Sequence, residues 1–227
     1  MNQIPDRLKH VLGRIDEAAA ACGRRADEIS LLAVSKTKPA GDILAAYRAG
    51  QRAFGENYLQ DALPKIQALE NTDIEWHFIG RIQSNKTAEI SRYFQWVHGL
   101  DRLKHAQRLS GQRPGDLPPL QVCIQVNLSG EASKGGVVPQ DLAGLATAVA
   151  RMPRLRLRGL MTMPDPGAPP ATQRATFAGL RRLLDELRAE GLELDTLSMG
   201  MSADMEAAIA EGSTIVRIGT DIFGRRD

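Results

Sequence analysis

The chain of 227 residues is 43% hydrophobic and 25% charged, a composition typical of a globular protein that can bury a sizeable core. Its 29 Lys and Arg nearly balance its 27 Asp and Glu, and only 4% of its residues are aromatic. A nucleic-acid-binding protein would more often carry a dense basic stripe with interleaved aromatic residues, so we expect no nucleic-acid partner.

The two cysteines and the N-terminal segment indicate a compartment. Cys22 and Cys123 lie far apart in apolar surroundings, which predicts two buried thiols rather than a disulfide or a metal site. Charged residues between Asp6 and His10 interrupt any apolar run that could form a secretory signal. No stretch approaches the roughly 20 apolar residues that span a bilayer. We therefore expect a soluble, cytoplasmic protein with no membrane partner.

Short apolar runs alternate with helical patterns along the chain. Apolar residues at helical spacing between Ile4 and Ala19 predict an opening amphipathic helix. Eight strands are predicted after it, at residues 29–34, 52–55, 74–79, 95–98, 120–126, 155–161, 196–198 and 214–218. Helices are predicted between them: from past Pro39 to Gly50, from Leu59 through Leu69, around Lys86 to Tyr93, after Asp101 with Leu103, Ala106 and Leu109, from Pro139 with Leu142, Leu145 and Val149, after Pro170 with Phe177, Leu180, Leu184 and Leu187, and from Ala203 to Ala210.

Several turn residues are assigned roles at the ends of these helices. Gly50 is predicted to stop the second helix, and Pro64 to kink the third helix or shift its start. Asp101 and Ser202 are predicted to be N-caps of the helices that follow them.

Eight strands alternating with helices in about 200 residues predict an α/β fold, a single (β/α)8 TIM barrel over residues 1–227 with an extra N-terminal helix. An open, doubly wound sheet is the structural alternative. In a barrel, the functional site lies at the carboxyl ends of the strands, within the loops that lead into the helices.

Lys36 directly follows the first predicted strand and can therefore reach the mouth of the barrel. A low-dielectric position disfavours the ammonium form, and the free amine can then form a Schiff base with a carbonyl compound. The alternative interpretation is a solvated lysine at a strand end.

The loops after strands seven and eight have the residue types of an anion site. Ser202 lies where strand seven gives way to a helix, and strand eight ends with Arg217, Gly219 and Thr220. A hydroxyl beside backbone N–H groups binds anions, and a glycine allows close approach of a ligand. These two loops are the recurrent phosphate site of barrels. The alternative for Ser202 is an ordinary helix cap.

Barrel closure would place strands one and eight side by side, so that Lys36, Arg217 and the phosphate loops share one side of the mouth. Pyridoxal 5′-phosphate matches all three groups, because it carries an aldehyde, a ring nitrogen and a phosphate. A Schiff-base aldolase acting on a sugar phosphate would match two of them.

These residues stand in motifs that cover nearly the whole chain in order. The sequence resembles the pyridoxal-phosphate homeostasis proteins, the YggS/PROSC-like family, in segments 33–39 (AVSKTKP), 54–58 (FGENY), 76–80 (WHFIG), 83–86 (QSNK), 157–161 (LRGLM), 197–202 (LSMGMS) and 217–220 (RIGT). The resemblance implies a barrel like the N-terminal domain of alanine racemases, with pyridoxal phosphate held as a Schiff base on Lys36.

The resemblance also implies roles for individual residues. Ser202, Gly219 and Thr220 match phosphate-binding positions, and Arg217 matches the arginine that faces the pyridine nitrogen. Asn57 and His77 fall in motifs near the ring, although a strand histidine with satisfied hydrogen bonds is the alternative for His77. Asp221 stands where a small residue is expected, so its carboxylate either repels the phosphate or points to solvent.

Two kinds of function remain open at this point. A racemase needs a second proton-transfer group on the opposite face of the cofactor, and alanine racemases take a tyrosine from an additional β-rich domain. No such domain is expected after strand eight, so the resemblance implies a monomeric, non-catalytic protein that binds, buffers and delivers pyridoxal phosphate, with apo-enzymes as recipients. The alternatives are a weak pyridoxal-phosphate-dependent amino-acid enzyme and a cofactor-free Schiff-base lyase.

Overall fold

The structure is a computed structural model that describes residues 3–129, 135–165 and 167–224. Its eight parallel strands form a closed barrel in chain order, and β1 pairs with β8 through Leu31 and Val216. The strands are β1 Ser30–Val34, β2 Ala53–Glu56, β3 Glu75–Phe78, β4 Trp96–Leu100, β5 Leu120–Gln125, β6 Leu155–Met161, β7 Thr196–Ser198 and β8 Ile215–Ile218. The predicted (β/α)8 barrel is confirmed, and the open sheet is excluded because its edge strands would be unpaired.

The helices surround the barrel. They are α1 Ile4–Ala21, α2 Ala40–Arg48, α3 Leu59–Ala68, α4 Thr87–Tyr93, α5 Leu103–Gln112, α6 Pro139–Ala150, α7 Pro170–Ala189, α8 Met205–Ala210 and α9 Thr220–Phe223. The predicted N-terminal helix is confirmed as α1. The short helix α9 follows β8 directly and was not expected from the sequence.

Alternation along the strands divides the apolar residues between two clusters. Leu31 and Ala33 of β1 belong to the large core between strands and helices, whereas Leu32 belongs to a smaller cluster. Successive strand residues point to opposite faces, so the smaller cluster fills the inside of the barrel. Its buried members are Leu32, Trp96, Cys123, Met161 and Ile215.

Helix α1 packs over the seam where β8 meets β1. Leu8, Val11 and Ile15 are buried on its inner face, and the helix contacts α2, α8 and α9. Beyond its end, the Arg24 guanidinium donates to the carbonyl oxygens of Ile209 and Ser213 at 2.9 and 2.8 Å. Helix α1 therefore joins the first and last units of the barrel.

The helix ends confirm the role predicted for Gly50 and correct the two predicted caps, and for Pro64 they show that the start of the helix is not shifted. Helix α2 stops as expected, because Gly50 takes a φ of 105° just past its end. Helix α3 keeps its start and continues through Pro64, because burial of Leu59 and Ala62 holds it against the barrel.

Neither Asp101 nor Ser202 is the N-cap of the helix that follows it. Helix α5 follows Arg102 and has no side-chain cap, and Asp101 instead faces Nδ1 of His105 at 3.5 Å. Helix α8 begins after Asp204 rather than after Ser202, because the Asp204 carboxylate accepts from the backbone N–H of Met201 at 2.6 Å and closes an extra turn.

The cysteine prediction holds for one residue. Cys123 is buried inside the barrel, and burial raises the pKa of its thiol to about 12. Cys22 is exposed, because it lies just past the last turn of α1, where its thiol donates to the carbonyl oxygen of Ala18 at 3.2 Å. In the part of the chain that the structure describes, no helix is long and apolar enough to cross a membrane.

Candidate functional site

Lys36 lies in a tight turn at the carboxyl end of β1. The backbone N–H of Lys38 donates to the carbonyl of Ser35 at 3.0 Å, and the side chain of Lys36 is half-buried. Thr37 has a φ of 67°, the only non-glycine residue with positive φ among the described residues. This conformation is costly for a β-branched residue, and strain of this kind clusters at functional sites. The turn holds the lysine at the mouth of the barrel.

A buried ion pair supports this turn from below. The carboxylate of Glu56 accepts from the Lys65 ammonium at 2.8 Å and from the Ser35 hydroxyl at 2.6 Å, and the ammonium also donates to the Ser35 carbonyl at 3.0 Å. The Glu56 side chain is fully buried and that of Lys65 is 11% exposed. Burial raises the pKa of Glu56, and the contacts with Lys65 and Ser35 act against that rise. Sequence reasoning missed this pair, because Glu56 stood out only as part of the 54–58 segment and no local pattern relates it to Lys65.

The β1–β8 seam brings Lys36 beside the last strand loop. Ala33 pairs with Ile218, and a Cβ added to Gly219 would lie 3.1 Å from the carbonyl oxygen of Val34. The loops that carry Ser202 and Thr220 are joined to each other as well, because the backbone N–H of Arg217 donates to the carbonyl of Gly200 at 2.9 Å. The lysine turn and both predicted phosphate loops thus share one side of the barrel mouth.

Arg14 of α1 bonds to both predicted phosphate loops. Its guanidinium donates to the carbonyl oxygen of Ser202 at 3.1 Å and to the carboxylates of Asp221 and Glu206 at 2.6 and 2.7 Å. The carboxylate of Asp221 is therefore paired with a cation. This pairing is neither of the two outcomes expected from the sequence, repulsion of a phosphate or simple exposure to solvent.

Arg217 is buried inside the barrel, 4% exposed. One nitrogen, Nη1, donates to the carbonyl and hydroxyl oxygens of Ser198 at 2.6 and 2.8 Å, and Nη2 donates to the carbonyl of Thr162 at 2.9 Å. Burial lowers the pKa of Arg217 to about 10, so the guanidinium is still a cation at neutral pH.

Asn57 has a side-chain atom without a hydrogen-bond partner among the described residues, whereas His77 does not. The side-chain oxygen of Asn57, just past β2, is buried with no hydrogen-bond partner among the described residues. An unsatisfied buried acceptor at the mouth suits a bound ligand. His77 has both ring nitrogens engaged, with Glu75 at 2.8 Å and His98 at 2.9 Å. This geometry matches the alternative of a satisfied strand histidine, so we assign His77 no direct ligand contact.

The groups at the mouth match a small phosphorylated carbonyl compound. An amine on a strained turn, a buried cation, a close-packed glycine with flanking hydroxyls and an unpaired amide oxygen fit the carbonyl, acceptor and phosphate of such a ligand. Within residues 3–129, 135–165 and 167–224, no group of three or more His, Cys, Asp or Glu side chains is placed to hold a metal ion. The fold and site define a class of (β/α)8 barrels with a lysine after the first strand and the predicted phosphate loops after the last two strands.

Comparison with known proteins identifies the family within this class. The profile of the family described as "Alanine racemase, N-terminal domain" matches residues 10–227. The pyridoxal phosphate homeostasis protein of Pseudomonas aeruginosa is 60% identical over all of this chain and 97% of its own length. The protein of the same name from Escherichia coli K12 is 53% identical over all of this chain and 98% of its own length. The chain belongs to the pyridoxal phosphate homeostasis protein family.

Solved structures agree with this assignment. PipY of Synechococcus elongatus with pyridoxal phosphate bound superimposes with a TM-score of 0.82 and 37% identity over 92% of this chain and all of PipY. PipY without the cofactor gives a TM-score of 0.88 at 36% identity, over 98% of this chain and all of PipY. Alanine racemase from Corynebacterium glutamicum, 21% identical, gives a TM-score of 0.70 over 98% of this chain and 62% of the racemase, which shows a shared barrel fold.

Proposed function

We propose that the protein binds pyridoxal 5′-phosphate as a Schiff base on Lys36 and serves intracellular vitamin B6 homeostasis by buffering or delivering the cofactor. The observation that carries this proposal is the β1–β8 seam, at which the strained lysine turn lies beside Gly219 and the predicted phosphate loops. The cofactor-bound PipY structure, which covers 92% of this chain, supports it.

Each residue at the mouth has one role in this proposal. Lys36 forms the covalent bond, and Ser202, Gly219 and Thr220 hold the phosphate. Arg217 faces the pyridine nitrogen, and the unpaired amide oxygen of Asn57 lies beside the ring. When bound, the cofactor supplies an aldehyde and an aromatic ring that can withdraw electrons.

The charge on Arg217 supports a carrier rather than an enzyme. A guanidinium only donates hydrogen bonds, so a pyridine nitrogen facing Arg217 stays unprotonated and withdraws electrons weakly. The tyrosines provide no evident second proton-transfer group. Tyr47 donates its hydroxyl to Asp73 on the outside of the barrel, and Tyr58 is 59% exposed. We therefore expect the protein to hold and release the cofactor without turning over amino acids.

The setting of the protein is part of the proposal. The near balance of acidic and basic residues and the two free cysteines support a cytoplasmic location and argue against a nucleic-acid partner. We expect a monomer that delivers pyridoxal phosphate to apo-enzymes.

The first experiment is the near-visible absorption spectrum of the purified protein before and after borohydride, with Lys36→Ala and Lys38→Ala beside it. The expected result is a yellow band in the wild type and in Lys38→Ala, fixed to the protein by borohydride, and absent from Lys36→Ala. A wild-type protein that stays colourless with added pyridoxal phosphate contradicts the proposal. A yellow band that is still present in Lys36→Ala would show that the Schiff base forms on a different lysine.

Carrier and enzyme are separated by two further measurements on the yellow protein. Transfer of the cofactor to an apo-enzyme, followed by the recipient's activity, supports delivery. Turnover of any member of an amino-acid panel that is lost in Lys36→Ala and kept in Lys38→Ala supports the alternative, a weak racemase-like enzyme.

A further inference from the structure

A line of polar side chains crosses the inside of the barrel from its amino-terminal face to Arg217. The Glu75 carboxylate contacts His77 Nε2 at 2.8 Å, and His77 Nδ1 contacts His98 Nε2 at 2.9 Å. His98 Nδ1 then contacts the Ser198 hydroxyl at 2.7 Å, and that hydroxyl accepts from Arg217 at 2.8 Å. We call these residues the barrel relay; they are Glu75, His77, His98, Ser198 and Arg217.

The barrel relay is enclosed over most of its length. His77 is 2% exposed, and His98 and Ser198 are fully buried, whereas the carboxylate of Glu75 reaches solvent at the start of β3. The ring of Trp96 stacks on His77 with centroids 5.3 Å apart and planes within 5°. Barrel interiors are usually filled by branched apolar side chains, so an unbroken polar line through one calls for an explanation.

The direction of every hydrogen bond in the relay follows from its two ends. Arg217 can only donate, so Ser198 Oγ accepts from it. Glu75 is ionised at neutral pH, because the hydrogen bond from His77 lowers the pKa of its carboxyl, and a carboxylate only accepts. His77 therefore carries its proton on Nε2 and accepts at Nδ1.

The same reasoning continues to Ser198. His98 must donate from Nε2 to His77, so its Nδ1 is unprotonated and accepts a hydrogen bond from the hydroxyl of Ser198. Burial lowers the pKa of both histidines, which keeps each ring neutral with a single proton. The reverse direction would put an unprotonated Nε2 of His77 against a carboxylate, and it would therefore need a protonated Glu75.

The relay is the hydrogen-bonded path from Arg217 to a carboxylate. Within the described ranges, Arg217 itself bonds only to carbonyl oxygens and to the Ser198 hydroxyl. The Asp204 carboxylate interacts with Arg217 electrostatically, but one of its oxygens accepts a hydrogen bond from the backbone N–H of Met201. At the other end, Arg158 interacts with Glu75 electrostatically and bonds to Asp195 and Gln121.

We propose that Glu75, His77, His98 and Ser198 are positioning residues that hold the Arg217 guanidinium toward the cofactor ring through one oriented chain of hydrogen bonds. Glu75 is the terminal acceptor of this chain at the opposite face of the barrel, and the hydrogen bonds of the two neutral histidines connect it to Ser198. The part of this inference that concerns the ring rests on the proposed function, whereas the order of protons along the chain does not.

The proton order is tested on the cofactor-free protein by ¹⁵N NMR of the histidine rings at neutral pH. The expected result is the neutral Nε2–H tautomer at both His77 and His98. An Nδ1–H tautomer or a doubly protonated ring at either position overturns the relay. This measurement needs no variant and no bound ligand, so it stands apart from the Schiff-base test.

The positioning role is tested with Glu75→Leu, Glu75→Gln and Ser198→Ala, beside the control Glu70→Leu, which changes an exposed carboxylate outside the relay. Thermal melting establishes that each variant is folded. The readouts are the dissociation constant for pyridoxal phosphate and the position of its near-visible absorption band.

Loss of one chain link is expected to weaken cofactor binding about tenfold and to shift the band in Glu75→Leu and Ser198→Ala. Glu75→Gln, whose side-chain oxygen still accepts from His77, is expected to lie close to the wild type, and Glu70→Leu to match it. Folded Glu75→Leu and Ser198→Ala with unchanged band and affinity overturn the positioning role and leave cofactor binding intact. A wild type that binds no pyridoxal phosphate overturns the role together with the proposed function.

Discussion

Asp221 is a residue whose meaning changed once its neighbours were known. By sequence it is an acidic residue directly after the predicted phosphate site, and a carboxylate there was expected either to repel the ligand or to point to solvent. In the structure it bonds to Arg14, which is 207 residues away along the chain. A charge at a binding site is therefore interpretable only with its partner, because pairing removes most of its field.

Lys36 shows the opposite case at the same scale. Its position after the first buried strand already indicated a lysine at the barrel mouth, and the structure adds the strained Thr37 that follows it. A left-handed conformation costs a non-glycine residue about 1–2 kcal/mol. The protein keeps this strained turn between the lysine and α2.

Replacing Thr37 by glycine tests what this strain does. Relief of the left-handed conformation exceeds the entropy cost of glycine, so we expect the free energy of unfolding to rise by about 0.5–1 kcal/mol. We also expect weaker pyridoxal phosphate binding, because the turn that directs Lys36 loosens. Urea unfolding and a binding titration measure the two effects. Tighter binding together with higher stability would contradict a positioning role for the turn.

At the scale of elements, α1 acts on the site through Arg14. The helix contributes no residue to the predicted set of cofactor contacts, yet its guanidinium bonds to both the Ser202 loop and Asp221. The side chain of Arg14 is 25% exposed. Partly enclosed, charge-assisted contacts of this kind stabilise more than a fully exposed ion pair does.

Arg14→Ala is expected to weaken binding of pyridoxal phosphate about fivefold, since the two loops proposed to hold the phosphate lose their common partner. Binding of pyridoxal, which lacks the phosphate, should change much less. Arg25→Ala is the matched control, because Arg25 is exposed and pairs only with Asp27 among the described residues. Equal losses for both ligands in Arg14→Ala would show a general effect on the fold instead.

The Glu56–Lys65 pair links β2 to α3 under the lysine turn. Removing one partner of a buried pair leaves an uncompensated charge, so we expect Lys65→Met to lower the free energy of unfolding by about 3–5 kcal/mol. The double variant Lys65→Met with Glu56→Gln should recover most of this loss. Urea unfolding of the two variants and the wild type makes the comparison.

The pH dependence of Lys65→Met follows from the direction of the Glu56 pKa. Burial already raises this pKa, and loss of the ammonium raises it further. A carboxyl with a raised folded-state pKa is most compatible with the fold below its unfolded pKa and destabilises as pH rises through the folded value. The stability deficit of Lys65→Met should therefore grow from pH 5 to pH 8. A deficit that shrinks over this range would contradict the buried-charge explanation.

At the scale of the whole molecule, α1 covers the closure of the barrel. Val11 is fully buried on the inner face of α1, which packs against α2, α8 and α9, while the next residue, Leu12, is 42% exposed. The family profile begins at residue 10, within this helix. The helix thus belongs to the barrel itself and is more than a leading segment.

Val11→Asp and Leu12→Asp test this by placing the same charge on opposite faces of one helix. The first should lower the free energy of unfolding by more than about 3 kcal/mol, because it buries an unpaired carboxylate, and the second by less than about 1 kcal/mol. Thermal and urea unfolding of both variants measure the difference. Similar stabilities would mean that α1 can detach without opening the barrel.

The sequence by itself determined the succession of strands and helices, the barrel class and the position of Lys36. These follow from local patterns, because short apolar runs, helical spacing and glycines act over a few residues. The placement of the Ser202 and Thr220 loops at one end of the barrel was predictable for a related reason, since the carboxyl ends of parallel strands meet there. Helix ends were less predictable, as Ser202 and Asp101 show, because caps depend on the geometry of the preceding turn.

Only the tertiary structure decided which side chains serve the site from a distance. His98 and Ser198 are 100 residues apart, and Arg14 and Asp221 are 207 apart, so no local pattern relates them. Barrel closure and strand register decide which inward-facing residues meet, and a shift of one residue would turn them outward. The physical reason is that buried polar groups must find partners wherever the fold places them, and those partners come from every part of the chain.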